Sequence, residues 1–281
     1  MRAFARYLTC LRDPRYYQIM VLSLLLGYGI VILDFGIRWQ NAVAIFGTAQ
    51  VVQLLAMRAT GQRRFDPLSA LITSISLTLL LRTDEISLAI LAACIAIASK
   101  FLVRIRGKHV FNPANAALVF LLLISDSAWI SSGQWGSAAI AAFALACLGF
   151  LVLTRAKRAE TTIAFLLAYS LLLFGRAIWL GDPMSIPLHQ MQNGALLLFA
   201  FFMISDPKTA PNTATARVAF GAFVASIAYV IQFVIYEPNG PILALIISAP
   251  LVPLIDAISR GRIYQWDHSA EDAARPIKGV Y

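Results

Sequence analysis

Charge is scarce in this chain, and acidic charge is scarcest: 14 Asp and Glu stand against 23 Lys and Arg in 281 residues, and only 13% of positions are charged. A soluble domain of this size carries nearly twice that fraction. With 59% hydrophobic residues, the chain buries its apolar surface only if lipid serves as part of its solvent, which excludes an ordinary soluble enzyme. Cysteine is nearly absent as well. Cys10, Cys94 and Cys147 are too few and too scattered for a disulfide framework or a cysteine-based metal site. The three histidines, His109, His189 and His268, fall in separate loops and the tail without ligand spacing, so no metal is expected. There is no CxxC, no Ser-His-Asp arrangement and no glycine loop for phosphates, so no catalytic residue is assigned and bond-making by this chain alone is not indicated. The N-terminal "MRAFARYLTCLRDPRYYQ" is basic but lacks a short apolar core with a small-residue cleavage site, and no removable signal peptide is expected.

What is present is a succession of long apolar runs. Taking ~17–25 apolar residues per membrane helix, ten spans are predicted, at about 16–34, 41–57, 67–82, 86–103 and 113–130, then 136–154, 160–180, 190–205, 216–236 and 240–259. Gly36, Gly61, Asp66-Pro67, Asp182-Pro183, Asp206-Pro207 and Glu237-Pro238 punctuate the joints. The expected organisation is a cytoplasmic N-terminal segment 1–15, a five-helix repeat 16–134, a second five-helix repeat 135–260 and a cytoplasmic tail 261–281. With the N-terminus inside, nineteen basic residues fall in inner loops, and only Arg38, Arg82 and Arg176 fall outside. This asymmetry places both termini in the cytoplasm of a multi-pass protein. It also accounts for the net charge of +9 without a nucleic-acid partner.

The third, fifth, eighth and tenth spans are short or opened by Pro or Gly. They form two pairs, each five spans and about 122–127 residues apart. A five-helix unit used twice must be inverted the second time, and irregular segments at matching positions of inverted halves point to a central site. Pro at a first turn is otherwise an ordinary helix start. Polar groups near membrane depth are costly unless paired or functional. For Lys100 and Asp256, near span ends, snorkelling or an ion pair is the plain explanation. For Asp66, Asn112 and Asp206, each before Pro, it is helix capping. Asn115 and Asn239 have neither, and their amides both donate and accept, as a flavin ring or a urea-like solute would need. The helix starts at 113 and 240 approach from opposite faces, each offering free N–H groups.

Three stretches together resemble one family. "GKHVFNPANAALVF", "AFFMISDPKTAPNTATARVAFGAFVASIAYVIQ" and "EPNGPILALIISAPLVPLIDAI" are similar, in order and spacing, to segments of the RnfD protein of the Rnf complex and of its relative NqrB in the sodium-translocating NADH:quinone reductase. The likeness extends over about 150 residues and is nearest to a divergent, UnbU-like branch. It implies ten helices in two inverted repeats, akin to urea transporters. It also implies a bacterial inner-membrane subunit of an ion-coupled electron-transport complex, working with other membrane or redox subunits. The family joins FMN to the Thr of an "S-G-A-T" motif after the fifth span. Here Ser132-Gly133 is kept but Trp135 stands at the Thr position, and Ser137 has no spacing that makes it a substitute. Tryptophan forms no phosphoester, so the expected cofactor is FMN or riboflavin held non-covalently. Its expected binding residues are Asn112, Asn115, Asp206, Thr209 and Asn239. A redox-free transporter or channel for a small solute is the rival reading, and a scaffold that only docks partner proteins is the third.

Overall fold

The computed structural model describes residues 13–62, 65–130, 148 and 159–264; the expected sixth span, apart from residue 148, and the Trp135 position lie outside the described residues. The first half contains α1 (Pro14–Val31), α2 (Trp39–Ala59), α3 (Pro67–Leu80), α4 (Ile86–Leu102) and α5 (Pro113–Ile124). After residue 158 come α6 (Ala159–Leu180), α7 (Ser185–Met191) and α8 (Gly194–Leu198), which runs into a π-helical turn, Phe199–Met203. They are followed by α9 (Ala214–Phe233), α10 (Gly240–Ser248), a 3₁₀ turn at Ala249–Leu251 and α11 (Val252–Ile258). The protein is an all-α, multi-pass membrane protein. Among the described residues, four helical segments are long and apolar enough to cross a membrane: Trp39–Ala59, Ala159–Leu180, Ala214–Phe233 and Gly240–Ile258.

The short helices have a physical explanation. At 1.5 Å per residue, the 14 residues of α3 and the 12 of α5 reach only ~21 and ~18 Å against a hydrocarbon thickness of ~30 Å. Each is completed by extended chain: β1 (Leu81–Thr83) follows α3, β4 (Ala128–Ile130) follows α5, and the two pair antiparallel with Arg82 opposite Trp129. The spans expected at 67–82 and 113–130 are therefore each a short helix plus a strand. Pairing satisfies backbone groups that neither strand could satisfy alone.

Lipid offers no hydrophobic drive between helices, so close contact depends on small residues. In α4 Ala89, Ala92, Ala93 and Ala96 are completely buried, and this face packs on α2. In α9 Gly221, Ala225 and Ala228 serve the same purpose against α6. A Cβ built at Gly221 would stand 2.6 Å from the Thr161 carbonyl oxygen, so only glycine allows this approach. The helices also contact in matching sets: α2 with α4 and α6 with α9, then α4 with α5 and α9 with α10, while α5 meets α10.

A second antiparallel pair, β2 (Arg104–Ile105) and β3 (Lys108–His109), forms a hairpin between α4 and α5. Its two turn residues, Arg106 and Gly107, have φ of 52° and 78°. Asn, Asp or Gly is the usual first residue of such a turn. An arginine there carries a penalty on the order of 1–2 kcal/mol.

Candidate functional site: a polar cavity between the halves

The site is built from the starts of the short helices. Asn112 caps α5: its Oδ1 accepts from the Asn115 N–H at 3.1 Å. That orientation turns its amide nitrogen towards the other half, where it donates to Asp206 Oδ2 at 3.3 Å and to the Met203 carbonyl at 3.4 Å. Asp206 lies in the loop after the π turn. Its Oδ1 accepts from the Lys208 N–H at 2.9 Å, and its carbonyl accepts from the Thr209 hydroxyl at 3.3 Å. Asp66 does not cap α3. Its carboxylate instead accepts from Arg15 at 2.8 Å, and Arg15 also binds Asp13, so the start of α1 is tied to the start of α3.

These groups surround a cavity of about 210 Å³ lined by, among others, Gln53, Asp66, Ser69, Lys100, His109 and Asn112 from the first half, and Met203, Asp206 and Lys208 from the second. Lys100 neither snorkels nor forms an ion pair among the described residues. It is 4% exposed, and its ammonium donates to the Ser69 carbonyl and hydroxyl at 3.1 Å. Gln53 Oε1 and His109 Nδ1 are buried without a partner among the described residues. Burial, reinforced by the positive charges of Arg104, Lys100 and Lys208, pushes the His109 imidazole down to about 4. Burial also raises the Asp206 carboxyl, against the pull of the Lys208 N–H and of the surrounding lysines. Lys208 is lowered, first by burial, with Asp206 opposing.

Three of the five residues expected at the site thus come together: Asn112 and Asp206 on the cavity, with Thr209 bracing the Asp206 loop. Asn115 is one turn into α5 and 1% exposed, and neither atom of its amide meets a partner among the described residues. Asn239 is elsewhere. It lines a different cavity of about 200 Å³ with Ile130, Tyr169, Asn193, Phe199 and Gln232, where the Tyr169 hydroxyl bonds Gln232 Oε1. The separation follows from the chain direction, because α5 and α10 begin at opposite ends of the bundle. Asp66 and Asn193, like Asn112 and Asn239, are 127 residues apart, so the two cavities are built on corresponding helix starts.

Lys100, Gln53 and His109 were not among the expected binding residues. A lysine near the end of an apolar run gives the same local signal whether it snorkels or turns inward; only the position of Ser69 on α3 distinguishes the two. Asp256, by contrast, has the ion pair expected of it, to Lys108 at 2.8 Å. Among the described residues, no three His, Cys, Asp or Glu side chains gather to hold a metal ion.

The comparisons with known proteins bear on the half that supplies Asp206 and Lys208. Residues 127–265 match the model of the NQR2, RnfD, RnfE family. Over this stretch, about half of its length, the chain is similar to the NQR2, RnfD, RnfE family. It is 37% identical over 117 residues to the RnfD subunit of the ion-translocating oxidoreductase complex of Klebsiella pneumoniae (strain 342), covering 41% of this chain and 33% of that relative. The corresponding subunit of Mannheimia succiniciproducens is 35% identical over 121 residues, 43% of this chain and 34% of the relative. That of Escherichia fergusonii is 32% identical over 139 residues, 49% and 35%. The matched stretch therefore spans about a third of each of these relatives.

Proposed function

We propose that this chain is a membrane subunit of an ion-coupled electron-transport complex of the RnfD kind, and that it holds a flavin, FMN or riboflavin, non-covalently between its halves. The observation that carries the proposal is the polar cavity joined across the halves by the Asn112–Asp206 hydrogen bond, with residues 127–265 matching the NQR2, RnfD, RnfE family. The donor set suits a flavin: Lys100 offers N–H groups, while Gln53 Oε1 and His109 Nδ1 are buried and unsatisfied among the described residues, matching a ring edge of alternating C=O and N–H groups. At about 210 Å³ the cavity is below the ~300–1,000 Å³ of drug-sized ligand pockets, so these residues would hold the ring edge rather than enclose the whole cofactor. A bound flavin would supply one- and two-electron redox chemistry. The protein's part is to orient the ring and exclude water. The N–H groups of Lys100 would lie beside it, and donors at that edge favour the reduced, electron-rich form.

The same reading takes the architecture as ten spans in two inverted five-helix repeats, urea-transporter-like, in a bacterial inner membrane with both termini cytoplasmic. It is supported by the 127-residue spacing of the helix starts, by the matching packing pairs and by the basic residues gathered on one side. The electron donor and acceptor would be partner subunits. The test is an absorption spectrum of the chain purified in mild detergent, before and after adding FMN or riboflavin. Flavin bands that stay with the protein through gel filtration are the expected result, and their absence refutes the cofactor assignment.

The second reading, a redox-free transporter or channel for a small solute, is favoured by one observation: corresponding cavities at opposite ends of the bundle. Flux of candidate solutes into proteoliposomes, no faster than into empty vesicles, would remove its support.

A further inference from the structure

The geometry points to a second binding site, independent of the flavin assignment, for the phosphate headgroup of an anionic phospholipid on the face that carries the β2–β3 hairpin. A cavity of about 340 Å³ lies between that hairpin and the end of α11, lined by Ile105, Arg106, Lys108, Asn212, Asp256 and Arg260 among others. Lys108 and Asp256 neutralise one another at 2.8 Å, so the uncompensated charge of the cavity belongs to Arg106 and Arg260. Both are exposed, and neither guanidinium has a hydrogen-bonding or ionic partner among the described residues. Two guanidinium forks facing one cavity suit the oxygens of a phosphate.

The two arginines are held in place from opposite halves of the chain. Arg106 sits at the hairpin tip, and Lys108 fastens the hairpin to the second half by donating to the Ala210 carbonyl and, at 3.2 Å, to Asn212 Oδ1. Arg260 is on a segment pinned by the Ser259–Thr213 hydroxyl pair at 2.7 Å, by Lys208 donating to the Tyr264 carbonyl at 3.1 Å, and by Gly261 lying against Asn212. Arg106 occupies a left-handed turn position that asparagine would fill with less strain, which argues that its side chain is kept for what it binds. The surroundings choose a lipid over an acidic protein surface. Leu102 is 81% and Ile258 88% exposed, with Ile105 and Ile263 about half exposed, and each lies within four residues of one of these arginines in the chain. Apolar side chains bare beside unpaired arginines at helix ends are what the acyl–headgroup boundary selects.

The test uses the full chain in neutral detergent, titrated separately with phosphatidylglycerol, phosphatidylcholine and inorganic phosphate while thermal unfolding is followed. Phosphatidylglycerol should raise the midpoint saturably, with phosphatidylcholine and phosphate leaving it unchanged. Arg106→Asn with Arg260→Gln should raise the half-saturating lipid concentration roughly 20- to 30-fold, the loss expected of two surface cations. Asparagine suits the turn better than arginine, so misfolding does not explain such a loss, and Arg106→Lys with Arg260→Lys should retain part of the response. Equal responses to both lipids, an equal response to phosphate, or an unchanged double variant would each overturn the proposal. So would a wild-type chain that ignores phosphatidylglycerol yet loses a co-purifying acidic protein when both arginines are replaced.

Discussion

Replacing Asn115 by leucine is expected to stabilise the protein, and it tests whether this residue takes any part in holding a ligand. Asn115 is 1% exposed, and neither its amide oxygen nor its amide nitrogen meets a partner among the described residues. Each buried polar group left unsatisfied costs about 1–3 kcal/mol. Leucine places the same number of heavy atoms in the same branched outline with none polar, and it extends an already apolar helix. Taking the cost of a single group, because a small shift of the amide could relieve the other, the gain is about 1–3 kcal/mol. At ~2–4 °C per kcal/mol for a chain of this size, the unfolding midpoint should rise by ~2–12 °C. The assay is thermal unfolding in detergent without added flavin, followed by riboflavin retention on the same samples. A midpoint that falls or stays put would refute the reasoning, because it would mean that a buried water or a relaxed rotamer already satisfies the amide. A stabilised variant that keeps full flavin retention would separate Asn115 from the ligand and leave it a purely structural residue.

Other changes probe the frame around the cavity. Lys108→Met leaves the Asp256 carboxylate with the Asn212 N–H at 2.8 Å but no cation, and should cost about 3–5 kcal/mol in chemical denaturation. Lys108→Met with Asp256→Leu should recover much of that, and a double variant no better than the single one would contradict the buried-charge argument. Gly221→Ala sets a methyl 2.6 Å from the Thr161 carbonyl oxygen and 3.1 Å from the Phe165 nitrogen. Backbone cannot step aside there, so about 1–3 kcal/mol should be lost, whereas Gly27→Ala, with nothing within 4 Å, should cost nothing measurable. Asn112→Ala removes both the α5 cap and the link to Asp206 and should lower stability by about 1–2 kcal/mol. His109 stays neutral in the fold down to about pH 4, whereas an unfolded histidine takes its proton near 6.5. Its contribution to stability is therefore complete above pH 6.5 and lost as pH falls towards 4, by about 1–3 kcal/mol after allowance for partial exposure. The raised Asp206 carboxyl acts in the opposite direction, so the measurement is wild type minus His109→Gln, and a flat difference from pH 6.5 to 4 would count against the burial argument.

The parts of this fold that were legible in the sequence are those written locally. Asn112-Pro113 and Asn239-Gly240-Pro241 announce helix starts, and helices begin at Pro113 and Gly240. What was not legible is set by partners far away in the chain. "LRT" and "AWI" continue apolar runs without any change of period, so they read as helix; only their pairing across 47 positions makes them strands. Asp66 before Pro67 has the form of a cap, but Arg15, 51 residues earlier, claims its carboxylate. Asn112 and Asn239 carry the same kind of motif and were assigned to one ligand. The helices they open, α5 and α10, start at opposite ends of the bundle, so the two residues line separate cavities.

That separation bears on which function the geometry favours. The segment Asn193–Asp206 runs from one cavity to the other: Asn193, Leu196 and Phe199 line the first, and Phe202, Met203 and Asp206 the second. Between the two linings the helix takes its π turn, Phe199–Met203, a geometry often found at functional positions. Phe199, Phe201 and Phe202 are each no more than 5% exposed, and the Phe199 ring packs against Phe165 with centroids 5.1 Å apart. A solute moving from one cavity to the other would have to displace aromatic rings from a close-packed interior. A cofactor held at one end requires no such movement, because electrons can pass through packed side chains where a solute cannot. The closed aromatic turn therefore weighs towards a protein that holds its ligand rather than one that passes it.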